Sequence, residues 1–83
     1  MQEENKELFS FGYRARVWAF LRWHEGRFFT VEEIAAATGL KKSTVEQALK
    51  FVKTLPRIET RVSYENGRKI VRYGFVPIVG KLE

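Results

Sequence analysis

The sequence predicts an α+β fold, three helices followed by a C-terminal β-hairpin. Three observations carry this. Apolar residues from Tyr13 to His24 recur at helical spacing. Two capping-box patterns, Thr30 with Glu33 and Ser43 with Glu46, open two further helices in close succession. Asn66-Gly67 then sits at the centre of a run of strand-forming residues, the strongest short signal for a hairpin.

Residues 1–9 are polar and acidic and read as a flexible or loosely helical arm. Ser10 is expected to cap a first helix that runs to about Glu25, with Gly26 as its stop. Tyr13, Val17, Phe20, Leu21 and His24 form one face, and Trp18 and Trp23 fall outside it. Together with Phe9 and Phe11 they give this segment more aromatic surface than one small core needs. The short "RFF" that follows supports no more than a stub of strand.

In the second helix, capped by Thr30 and Glu33, Ile34 and Ala35 point inward and Gly39 ends the element. The third is expected over residues 43–55, opened by Ser43 and stopped by Leu55-Pro56, because the residue before proline avoids the helical region. Val45, Leu49 and Val52 then face the core. The outer face centres on Ser43, Gln47, Lys50 and Thr54, with Glu46 and Lys53 on one edge and Thr44 and Phe51 on the other.

Residues 57–76 read as the hairpin. Counting outward from a two-residue Asn66-Gly67 loop, Glu65 faces Arg68, Val62 faces Val71, Arg61 faces Arg72 and Ile58 faces Phe75. Ile58, Thr60, Val62, Val71, Tyr73 and Phe75 share a face able to cover the helices, and Arg61, Arg68, Arg72 and Glu65 share the other. Two arginines directly opposite each other repel. Either Glu59 or solvent relieves them, or a phosphate sits between them. The domain is therefore expected over residues 10–76, with an apolar tail at 77–83.

Bulk properties narrow the function. Eighty-three residues make one small domain with a limited core, for which oligomerisation is a common support. The chain has no cysteine, no aspartate and a single histidine, His24. No disulfide, metal site, cofactor or catalytic cluster is expected, and an enzyme is not the reading. No apolar run is long enough to span a bilayer, and the polar N-terminus is not a signal peptide. A soluble cytoplasmic protein is the expectation. The net charge is +5, and nine basic residues against three glutamates lie between Lys41 and Arg72. That excess favours a polyanionic partner.

The order helix, stub, helix, turn, helix, hairpin resembles the winged helix-turn-helix family, over roughly residues 17–76. The resemblance rests on "TVEEIAAATGLKKSTVEQALKFV". Within it, Ala35 allows close helix approach, Gly39 takes the left-handed turn and Val45 anchors the next helix, with Ile34, Leu40 and Ala48 at other apolar positions of the motif. Thr38 departs from that pattern, and Leu55-Pro56-Arg57 stands where the family often has a glycine before the wing.

The resemblance implies a dimeric, DNA-binding transcriptional regulator of bacterial, archaeal or viral type, associated with the nucleoid. Helix 43–55 would enter the major groove of double-stranded DNA, with the 57–76 hairpin as wing. The candidate DNA contacts are Lys41, Lys42, Ser43, Thr44, Gln47, Lys50, Arg61, Arg68, Lys69 and Arg72. Gln47 suits adenine and Lys50 suits guanine or phosphate. The helix N-terminus at Lys41 to Thr44 suits phosphate, and Arg68 is placed for a minor groove. Phe9, Phe11, Trp18 and Trp23, with the tail, are the candidate homodimer interface; no membrane or small-molecule partner is expected. Two alternatives stay open: a winged-helix protein–protein interaction module, and a non-specific nucleic-acid-binding protein of chromatin type.

Overall fold

The computed structural model describes residues 2–77, with side chains from Gly12 onward. In chain order it contains α1 (Gln2–Trp23), β1 (Phe28–Phe29), α2 (Val31–Thr38), α3 (Lys42–Val52), β2 (Ile58–Glu65) and β3 (Arg68–Phe75). The fold is α+β, with three helices and one antiparallel sheet of order β1-β3-β2. Among the described residues no helix is long and apolar enough to cross a membrane.

The first helix departs from expectation at its start. It begins at Gln2, so Ser10 lies inside it rather than capping it. Gln, Glu, Lys and Leu are good helix formers, and glutamates near the helix N-terminus complement its dipole. Nothing in residues 2–9 breaks the backbone pattern. Further along, Val17 and Leu21, one turn apart, are fully buried.

The second helix forms as the sequence predicts. The Glu33 N–H donates to Thr30 Oγ1 at 3.1 Å, and the Thr30 N–H donates to Glu33 Oε1 at 2.9 Å. Gly39 closes it with φ of 77°, its N–H donating to the Ala35 carbonyl. Thr38, polar at an apolar position of the turn, is satisfied locally: its hydroxyl donates to the Ile34 carbonyl at 2.7 Å.

The third helix starts one residue early, and the expected Ser43–Glu46 capping box does not form. A cap residue must be non-helical, and Lys41 is the residue that takes the extended conformation, with no side-chain cap. Ser43 is thereby already inside the first turn. At the other end the helix stops at Val52, and Leu55 is reached through tighter turns, Thr54 N–H to Phe51 O and Leu55 N–H to Val52 O, both 3.0 Å. Pro56 makes continued α-helix at Leu55 unfavourable.

The core is Val17 and Leu21 of α1, Ile34 of α2, Val45, Ala48, Leu49 and Val52 of α3, and Phe75 of β3. Phe20, Phe29, Leu55, Ile58 and Tyr73 pack around it. The hairpin register is the predicted one throughout, from Glu65 opposite Arg68 to Ile58 opposite Phe75. Asn66 and Gly67 carry φ of 53° and 77°, as a type I′ turn demands. The stub pairs with β3, Phe28 opposite Gly74 and Phe29 opposite Tyr73.

One expectation about the hairpin is corrected. Its apolar face covers the helices only at the base, through Ile58, Tyr73 and Phe75; Thr60 is exposed and Val62 is 50% exposed. Eight strand residues reach about 27 Å, whereas an eight-residue helix such as α2 is about 12 Å long. The outer half of the hairpin overreaches the helical layer.

Candidate nucleic-acid interface

The outward surface of α3 is set by the residues it buries. With Val45, Ala48, Leu49 and Val52 inward, Ser43, Glu46, Gln47 and Lys50 are exposed and Thr44 is half-buried. At about 100° per residue, Ser43, Gln47 and Lys50 stand at the centre of the open face. Lys42 and Glu46 fall on one flank, Thr44 and Phe51 on the other.

Each flank borders a cleft. On the first, a cavity of about 290 Å³ lies between the α2 and α3 N-termini and the hairpin tip; its walls include Glu32, Lys42, Glu46, Arg68 and Lys69. The structure thus gathers Lys42, Arg68 and Lys69 beside α3, but with two carboxylates among them. On the other flank, a cavity of about 210 Å³ opens toward α1, lined by Tyr13, Arg14, Thr44, Gln47 and Ala48.

Ion pairing divides the predicted contacts. Lys42 Nζ lies 2.9 Å from Glu32 Oε2, Arg61 Nη2 3.4 Å from Glu59 Oε1, and Arg72 Nη1 3.5 Å from Glu65 Oε2. Among the described residues, Lys41, Lys50, Arg68 and Lys69 have no carboxylate partner. The hydrogen bond with Glu32 raises the Lys42 pKa, and the same bond lowers that of Glu32. Both groups remain ionised over the whole neutral range.

Arg61 and Arg72 face each other as predicted, but they do not join the α3 surface. Strand alternation puts them on the sheet face opposite Tyr73 and Phe75, which meet the core. There the Arg61 guanidinium sits 3.8 Å above the Phe28 ring, and Arg72 approaches Ser63 and Glu65. The two charges diverge toward separate partners. Glu59 pairs with Arg61 and Glu65 with Arg72, which offsets the repulsion.

The aromatic candidates are also separated. Trp18 packs edge-on against Phe75 at 6.1 Å and borders an apolar cleft with Ala15, Phe51 and Leu55. Trp23, 84% exposed, borders a different cleft with Phe20, His24 and Ala37. The side chains of Phe9 and Phe11, and the tail from residue 78, lie outside the described residues.

Sequence reasoning missed three participants. Glu32, on α2, holds Lys42. Phe28, on the stub strand, supports Arg61. Arg14 belongs to α1 but borders α3, where its guanidinium lies 4.7 Å from the centre of the Phe51 ring. Only the helix-one face meeting Phe51 could have revealed it, and that depends on how the helices cross. Compared with known proteins, the chain matches no family model, no curated protein and no solved structure.

Proposed function

We propose that this protein is a DNA-binding transcriptional regulator of the winged helix-turn-helix kind, with α3 in the major groove and the β2–β3 hairpin as wing. The observation that carries the reading is the open face of α3. It presents Ser43, Gln47 and Lys50 outward, beside a hairpin tip whose Arg68 and Lys69 form no ion pair with a described carboxylate.

An α-helix with its side chains is about 10–12 Å across, close to the ~12 Å width of the B-DNA major groove. Gln47 has the amide needed for a bidentate contact to adenine, and Lys50 is a donor for guanine or phosphate. Lys41, Ser43 and Thr44 offer donors to phosphate at the helix start. Arg68, at the tip, reaches toward a minor groove. Arg61 and Arg72 are left out of this interface, because each is already paired with a carboxylate, Glu59 and Glu65. Two copies related by two-fold symmetry would present reading helices ~34–36 Å apart, one turn of DNA. Such a regulator would work on the nucleoid, without cofactor or catalytic step.

A protein–protein interaction module is the second reading, favoured by Glu32 and Glu46 in the hairpin-side cleft and by the exposed Trp23. Titration of labelled random duplex DNA, followed by fluorescence anisotropy through a salt series, separates the two. A DNA reader binds with steep salt dependence; a protein module shows no binding even at low salt.

A further inference from the structure

We infer that the cleft between α1 and α3 is a backbone-phosphate site, with Arg14 as its anion-binding residue. The inference rests on the DNA-binding reading and extends the footprint to a helix that the reading does not use.

A helix lying in a major groove has a sugar–phosphate backbone along each side. The hairpin tip serves one side of α3. The other side is bordered by the cleft of about 210 Å³ lined by Tyr13, Arg14, Thr44, Gln47 and Ala48. Thr44 is on the α3 flank that turns from the hairpin, and Gln47 is where the central face borders it.

The electrostatics of the two clefts differ in kind. Glu32 and Glu46 stand in the wall of the hairpin-side cleft. Among the described residues, no carboxylate lines the α1-side cleft and none pairs with Arg14. Arg14 is also held in place. Its guanidinium sits 4.7 Å from the centre of the Phe51 ring, a cation–π contact that favours this placement of the side chain. The Thr44 hydroxyl supplies a neutral donor on the α3 wall. A phosphodiester, planar-fork compatible and singly charged, fits this set of donors.

The test measures binding of random duplex DNA by anisotropy across a potassium chloride series, for wild type, Arg14→Gln and Arg14→Lys. Arg14→Gln is expected to weaken binding about three- to tenfold at low salt, equally for unrelated sequences, and to reduce the magnitude of the log–log salt slope by about one. Arg14→Lys is expected to recover the slope but only part of the affinity, since it keeps the charge and loses the fork. In the unmodified protein, the Arg14 Nε–H signal in a ¹⁵N–¹H spectrum should shift on saturation with the duplex; this readout needs no variant to fold. Wild-type binding with unchanged affinity and slope in Arg14→Gln, or an Arg14 Nε–H signal that does not move, overturns the phosphate site and leaves the DNA-binding reading standing. Absence of wild-type binding at low salt overturns both.

Discussion

Lys42 and Glu32 are joined across the turn between α2 and α3, ammonium to carboxylate at 2.9 Å. The pair ties the start of α3 to the first turn of α2 and neutralises a lysine that the sequence offers as a phosphate contact. Glu32 has its pKa lowered from 4.5 and Lys42 has its pKa raised from 10.5, each chiefly by their mutual hydrogen bond. The stabilisation from Glu32 is present above its unfolded value and lost as pH falls through the folded one. That from Lys42 is present below its unfolded value and lost as pH rises through the folded one. The pair therefore acts across the window between 4.5 and 10.5.

Glu32→Gln follows directly. Both groups are solvent-exposed, so salt screens their attraction and the melting temperature should barely move. The freed Lys42 should instead tighten DNA binding severalfold at low salt, with a steeper salt slope. A titration of the variant beside wild type checks this; unchanged affinity would place Lys42 away from the DNA.

Gly74 is constrained by its neighbours on β1. A Cβ at that position would lie 2.6 Å from the Arg27 carbonyl oxygen and 2.8 Å from the Phe28 ring. The ring can give way, but the carbonyl belongs to the backbone that leads into the β1 pairing. Gly74→Ala should cost about 1–3 kcal/mol, as overpacking in a well-packed region does. Chemical denaturation measures it, and a cost near zero would mean that the stub strand is not held against β3.

The hairpin shows how far the sequence could be read. Asn66-Gly67 specifies a two-residue loop, and a two-residue loop specifies every pair down to Ile58 and Phe75. The Thr30–Glu33 box and Gly39 likewise set α2 by local chemistry alone. What failed was decided beyond local sequence. Ser43 has the residue type for a cap, but Lys41 takes the cap conformation, next to a Lys42 held by Glu32 on another helix. Arg61 and Arg72 were correctly placed opposite each other, yet their separate partners are fixed by Phe28 on the adjacent strand and by Glu65 at the hairpin end. Charge content on its own does not say which cations are already matched.

Arg57 occupies the left-handed region with φ of 69°, a conformation that favours glycine. Its Nε–H donates to the Val76 carbonyl at 2.9 Å, and its guanidinium lies 4.5 Å from the centre of the Phe75 ring. Side-chain contacts thus offset a backbone cost of about 1–2 kcal/mol. Arg57→Ala loses the contacts and keeps the cost; Arg57→Gly loses the contacts and relieves it. The glycine variant should be the more stable of the two by about 1 kcal/mol, measured by thermal or denaturant unfolding. The reverse order would mean that the conformation carries no strain.

A homodimer is proposed from the aromatic surface of α1, where Trp18 is partly and Trp23 largely exposed on separate faces. Sedimentation equilibrium should show self-association by high micromolar concentration, weakened by Trp18→Ala or Trp23→Ala. A strict monomer at that concentration removes the dimer and leaves a single reading helix.

The most direct measurement is anisotropy of labelled random duplex DNA across a salt series for wild type, Lys50→Glu and Arg68→Glu. Lys50 stands on the open face of α3 and Arg68 at the hairpin tip, both exposed and both without a described carboxylate partner. The account predicts salt-dependent wild-type binding, weakened at least about tenfold in each variant while their melting temperatures hold. No wild-type binding at low salt, or binding that neither reversal alters, would contradict the placement of α3 and the hairpin on DNA.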